Sequence, residues 1–310
     1  MENRKEFHFL SSDGKTQLHA VTWLPEGEAV GILQIAHGVA EYALRYDDFA
    51  RFMTTKGFIV TANDHLGHGQ SVREGAPRLF FAESGGWDYV VRDLYTLRDL
   101  TGKAYPGLPY FLLGHSMGSF LTRSYLIRYP GTVDGAIVMG TGQVSTALLR
   151  AGSALAGLIA KKSGRSTFSP TVEGLAFGSY NKPFAPERTK YDWLSVNEEN
   201  VDRYIADPLC GGEISTGLFL DMFGGMRAIQ NPSALRSMNR TTPVFFIAGA
   251  QDPVGDMGKG VKAAYESFRK VGVQDVELKL YEGLRHEILN ESCREEVYDD
   301  LWGWISRHLS

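Results

Sequence analysis

Gly114-His115-Ser116-Met117-Gly118 stands between an apolar run, Tyr110 to Leu113, and a helix-like stretch that reaches Arg128 before Pro130. A serine between two glycines at a strand-to-helix junction is the pattern of a nucleophile elbow, in which a sharp turn lifts the hydroxyl out of the sheet. The turn forces the serine into an unfavourable backbone conformation and brings strand and helix close, so a Cβ on either side would clash. In a chain with 35 glycines among 310 residues the pentad alone carries modest weight. Its setting, strand before and helix after, gives it force.

The rest of the chain supplies a fold around that turn. Lys5–Leu10 and Gln17–Leu24 read as an antiparallel pair across Ser12-Asp13-Gly14. Val30–Ala36, Gly57–Ala62, Tyr110–Leu113 and Val133–Met139 are apolar runs suited to buried strands. Helical spacing appears in Tyr46–Thr55 and again at Trp87, Val90, Val91, Leu94 and Leu97. This alternation predicts an α/β fold with a mostly parallel sheet flanked by helices. From Gly142 to Ser237 the rhythm stops, and helical stretches follow over Ala147–Lys162, Asn197–Ala206 and Leu218–Ile229. It resumes with strands at Val244–Ala248 and Val276–Tyr281 and helices at Gly258–Val271 and Arg294–His308. The expected organisation is a core of residues 1–141 and 238–310 with a helical cap, 142–237, inserted in the second half.

Composition narrows the function classes. The net charge is −4 with no long basic run, which argues against a nucleic-acid partner. The charged N-terminus has no apolar core, no run approaches the length of a spanning helix, and Cys210 and Cys293 lie far apart. Two free thiols and a cytoplasmic setting are expected. Lys161, Lys162 and Arg165 end an apolar helix; cations favoured at a helix C-terminus explain them, with transient membrane-surface contact through the cap as the alternative.

A serine hydroxyl needs a base. Only His286 and His308 follow Ser116 among later histidines. His308 ends a polar helix, whereas His286 follows a strand through Glu282-Gly283, so His286 is the expected base. Asp252, directly after the Val244–Ala248 strand, is the expected acid, with Asp256 the weaker competitor. The oxyanion donors expected are the amides of Met117, at the start of its helix, and Val39, after His37-Gly38. Asp64-His65-Leu66-Gly67-His68-Gly69 lacks a third ligand at metal spacing and reads as glycine turns; neither a metal nor a cofactor is expected.

With these residues placed, the chain resembles the monoacylglycerol lipase and lysophospholipase branch of the α/β-hydrolases. The matching segments are His37-Gly38-x-x-Glu41 with Arg45-Tyr46, Asp64 to Ser71, the elbow pentad, Asp207-Pro208-Leu209-Cys210, and Tyr281-Glu282-Gly283 before His286. The resemblance implies Ser116, Asp252 and His286 as a triad, Val39 and Met117 as oxyanion amides, and Glu41, Arg45 and His115 around the alcohol part of an ester. Leu218, Phe219, Met222, Phe223 and Met226 fall near one helical face and are expected to line an acyl channel, ordinary cap packing being the alternative. The chain departs from the family at Leu289, where a histidine is known, and at Ser119, where glycine is common. The expected activity is two-step hydrolysis of a single-chain acyl ester. The alternatives are a carboxylesterase, peptidase or acyltransferase of the same fold, or a non-catalytic ligand binder.

Overall fold

Asp13 organises the first turn: its carboxylate accepts from the amides of Lys15 and Thr16 and from the Thr16 hydroxyl. That turn joins β1 (Arg4–Leu10) to β2 (Gln17–Trp23) as an antiparallel pair. The computed structural model describes residues 3–309. Six further strands follow: β3 (Gly31–Ala36), β4 (Phe58–Asn63), β5 (Tyr110–His115), β6 (Gly135–Met139), β7 (Val244–Gly249) and β8 (Val276–Tyr281). They form one sheet in the order β1-β2-β4-β3-β5-β6-β7-β8, parallel from β4 through β8. Every residue of β3 to β7 is buried, which explains why these strands read as largely apolar runs.

The helices, in chain order, are α1 (Asp47–Thr55), α2 (Gly86–Ala104), α3 (Met117–Arg128), α4 (Thr146–Ser163), α5 (Pro170–Phe177), α6 (Glu198–Ala206), α7 (Thr216–Ala228), α8 (Pro232–Leu235), α9 (Lys259–Lys270) and α10 (Arg294–Arg307). Helices α1 and α10 bury Phe49, Met53, Leu301 and Trp304 on one face of the sheet. Helices α2, α3 and α9 bury Val91, Leu94, Leu121 and Phe268 on the other. This is the α/β-hydrolase fold, with a helical insert carried between β6 and β7.

Expected strand starts at Val30, Gly57 and Val133 fall one or two residues early. Gly57 shows why: it turns at φ 84°, a left-handed conformation that a strand does not contain. Helices α5 and α8 had no counterpart in the sequence reading.

Candidate active site

At the end of β5 the chain turns through Ser116, whose φ of 55° and ψ of −121° lie outside the ordinary regions for an L-residue. Such a conformation costs about 1–3 kcal/mol. The neighbours hold it: Ser116 N donates to Met139 O at 3.0 Å, and the Ser119 hydroxyl donates to Ser116 O at 2.6 Å. A Cβ on Gly114 would run into Gly118 O and Thr122 Oγ1, and one on Gly118 into Ala36 O. Both glycines are therefore demanded by the close approach of α3 to β5 and β3. Ser119, where the family pattern has glycine, supplies a hydroxyl to the elbow.

Asp252 lies just past β7 and His286 in the turn past β8. His286 Nδ1 donates to Asp252 Oδ2 at 2.8 Å, and both side chains are buried. Asp252 Oδ1 accepts from Val254 N at 2.9 Å, which fixes the carboxylate plane. With Nδ1–H committed to Asp252, Nε2 is the nitrogen left with a lone pair. The imidazole is flanked by the rings of His115, 4.6 Å away, and Trp193, 5.1 Å away. Asp256 sits on a left-handed turn and lines a cavity instead of bonding His286. His308 bonds Trp304 O and Asp275 at the end of α10.

The loop after β3 packs against Ser116. Gly38 N donates to Glu41 Oε1 at 2.6 Å, and a Cβ on Gly38 would lie 3.0 Å from Ser116 Cβ. Glu41 also accepts from Arg45 Nη1 at 2.8 Å and from the Tyr46 hydroxyl at 2.9 Å. Arg45 then reaches Glu287 with two bonds, 2.7 and 2.8 Å, and Asn200 adds a third to that carboxylate. Burial alone would push both acids up, but the His115 hydrogen bond and the Arg45 charge hold Glu41 well down, and Arg45 holds Glu287 down. Burial pulls His115 down, yet its bond to Glu41 leaves it raised overall. Arg45 is thus the counter-ion behind the cavity wall and is not among the residues lining it, because both of its guanidinium edges are spent on buried carboxylates.

The Asp64-to-Gly69 motif folds beside this loop. Asp64 accepts from Ala43 N and Gln70 N, and His37, His65 and His68 cluster as buried rings, the first two 4.0 Å apart. Burial drives His37 down to about 3 and His68 to about 4, so both are neutral at pH 7. Cys210 is half-buried and Cys293 exposed, and neither is in a disulfide.

Two cavities meet at Ser116. One, of about 270 Å³, is bordered by Glu41, His115, Glu173, Lys190, His286 and Glu287. The other, of about 220 Å³, is bordered by Phe120, Leu148, Leu149, Met222, Phe223 and Met226, with Met117 beside Ser116. Val39 and Ser116 belong to both. Leu218 and Phe219 depart from the expected channel: both are wholly buried and pack into the core, because they lie about one turn too far towards the α7 N-terminus. Arg165 reaches Asp221, Gly217 O and Ala82 O, so it braces α7 against the core. Leu148, Leu155, Leu158 and Leu175 are exposed on the insert.

The insert also holds the loop that carries the imidazole. Arg285 Nη1 donates to Asp192 O and Ser195 O, Glu287 N donates to Leu194 O at 2.7 Å, and Glu291 accepts from Val196 N and Asn197 N. Sequence reasoning missed this segment and Trp193 within it. Its only regular structure is a single 3₁₀ turn, Asp192–Leu194, and its partners lie some ninety positions away.

Fold and elbow define the class: a serine hydrolase of the α/β type. A family model described as serine aminopeptidase, S33 (Hydrolase_4) matches residues 27–293, and the chain belongs to that family. It is 30% identical over 310 residues to a monoacylglycerol lipase of Mycolicibacterium smegmatis, covering 99% of this chain and 98% of the relative. It is 28% identical to the human monoglyceride lipase, covering 98% and 91%. A carboxyl esterase from Bacillus coagulans, solved with glycerol, superposes with a TM-score of 0.93 at 27% identity, covering 99% of both chains. The chain is therefore an esterase or lipase of this fold, homologous to monoacylglycerol lipases.

Proposed function

We propose that the protein hydrolyses esters of one acyl chain with a small neutral alcohol, such as monoacylglycerols, through Ser116, His286 and Asp252. The observation that carries this is the position of Ser116 where two cavities meet, one carrying charged side chains within a mixed lining and the other chiefly apolar. His286 Nε2 takes the Ser116 proton as the hydroxyl attacks the acyl carbon, while Asp252 steadies the imidazolium. The amides of Val39 and Met117 hold the oxyanion, and the helix α3 N-terminus adds its partial positive charge. His286 then protonates the leaving alcohol in the polar cavity, and water repeats the cycle to free the fatty acid from the apolar one.

In this reading residues 142–237 act as the cap, Glu41 and His115 face the alcohol, and Met222 and Phe223 face the chain. Arg45 fixes the two carboxylates instead of meeting the alcohol. The exposed leucines of α4 and α5, two of which line the apolar cavity, suit transient contact with a lipid surface. Two unpaired thiols suit a reducing compartment.

The test is acid release by purified protein from monoacylglycerols, lysophospholipids, short-chain esters and aminoacyl anilides. Preferential turnover of monoacylglycerols supports the reading. Cleavage of the anilides alone would make it a peptidase, and preference for lysophospholipids would reassign the headgroup.

A further inference from the structure

We infer that Phe177 and Trp193 form an aromatic partition above Ser116 that limits the site to esters carrying a single acyl chain. The inference deepens the ester-hydrolase reading and rests on it. The two cavities have four lining residues in common: Val39, Ser116, Phe177 and Trp193. Val39 and Ser116 come from the core. Phe177 ends α5, and Trp193 sits in the turn Asp192–Leu194, so the other two come from the insert. Their rings lie 6.4 Å apart at an interplanar angle of 21°.

These rings are not free to swing aside. Phe177 packs against Tyr180 and Phe219, each 5.5 Å away, and Trp193 against Tyr180 at 5.1 Å and the His286 imidazole at 5.1 Å. An ester must span this passage with its carbonyl at Ser116, its chain on the apolar side and its alcohol on the polar side. A primary ester of a small polyol is slender at that point. A second chain on the same alcohol meets two obstacles. Within the first cavity it would cover the Glu173 carboxylate and the Lys190 ammonium, displacing their water without offering a polar partner. To join the first chain it would have to pass between the rings. The partition therefore sets specificity, and the polar lining sets which side each half of the ester occupies.

The experiment compares kcat/KM on mono-octanoylglycerol and dioctanoylglycerol for the wild type, Phe177→Ala and Phe177→Trp, with active serine counted by fluorophosphonate labelling. Phe177 makes no ring contact with the base, so the ratio of the two substrates reports the passage. The expected result is a fall of about tenfold or more in the mono-to-di ratio for Phe177→Ala, the scale on which a hydrophobic pocket discriminates, and a preserved ratio for Phe177→Trp. An unchanged ratio in Phe177→Ala protein that labels fully would overturn the partition. If Phe177→Ala does not label, Phe177→Leu takes its place, with a fall of about threefold expected and an unchanged ratio again decisive. A wild type that labels yet releases acid from neither ester overturns the ester reading itself, which is a separate outcome.

Discussion

His286 Nδ1 and Asp252 Oδ2 lie 2.8 Å apart, joining the turn past the last strand to the turn past the strand before it. The bond fixes which ring nitrogen keeps its proton. Asp252→Asn is expected to leave the fold intact and lower kcat by about 10⁴-fold, since an amide can hold the wrong tautomer. Steady-state kinetics beside a far-ultraviolet dichroism spectrum checks this, and a loss of less than tenfold would remove Asp252 from the catalytic role.

Arg45 stands between Glu41 and Glu287, with side-chain exposures of 9%, 5% and 3%. Arg45→Met strips two buried carboxylates of their counter-ion, and removing one partner of such a pair costs about 3–5 kcal/mol. Urea titration is expected to show that loss. Adding Glu287→Gln to the same chain should recover part of it, and no recovery would mean the charge is not the cause.

The buried histidines predict acid sensitivity. Burial holds His68 at about 4 and His37 at about 3, below the value of about 6.5 for a free imidazole. The unfolded chain therefore binds more protons between pH 6.5 and 4, so stability is full above pH 6.5 and falls with pH through that window. His68 alone is expected to contribute on the order of 3 kcal/mol. Melting temperatures from pH 7.5 down to 4.5 should decline steeply, and less steeply for His68→Gln. Parallel curves for the two proteins would contradict the assignment.

Met222 is buried and borders the apolar cavity. A charge there meets hydrocarbon without a partner, so Met222→Asp is expected to lower kcat/KM for long-chain esters at least tenfold more than for acetyl esters. Equal losses on both would return Met222 to ordinary packing.

Much of the fold was visible in the chain because the buried strands β3 to β7 leave largely apolar runs, the first hairpin marks β1 and β2, and β8 shows as the alternating stretch Val276–Tyr281. The elbow glycines were visible for a local reason, now seen as backbone atoms crowding their missing Cβ positions. Helix α5 was not, because eight residues broken by Gly174 carry too little periodicity to stand out. Leu218 and Met226 share the spacing of Met222 along α7, and spacing does not say which end of a helical face looks into a cavity and which into the core. Trp193 was invisible for a deeper reason: its meaning lies in its contact with His286, and no local pattern encodes so distant a neighbour.

The struts from Arg285, Glu287 and Glu291 to the stretch Asp192–Asn197 bear on engineering. Exchanging the middle third of this polypeptide for that of a cousin would swap the cavity walls it supplies and, with them, the scaffolding of the His286 turn. A chimera made to alter selectivity needs matching acceptors and donors in the transplanted piece, or turnover falls on every substrate alike.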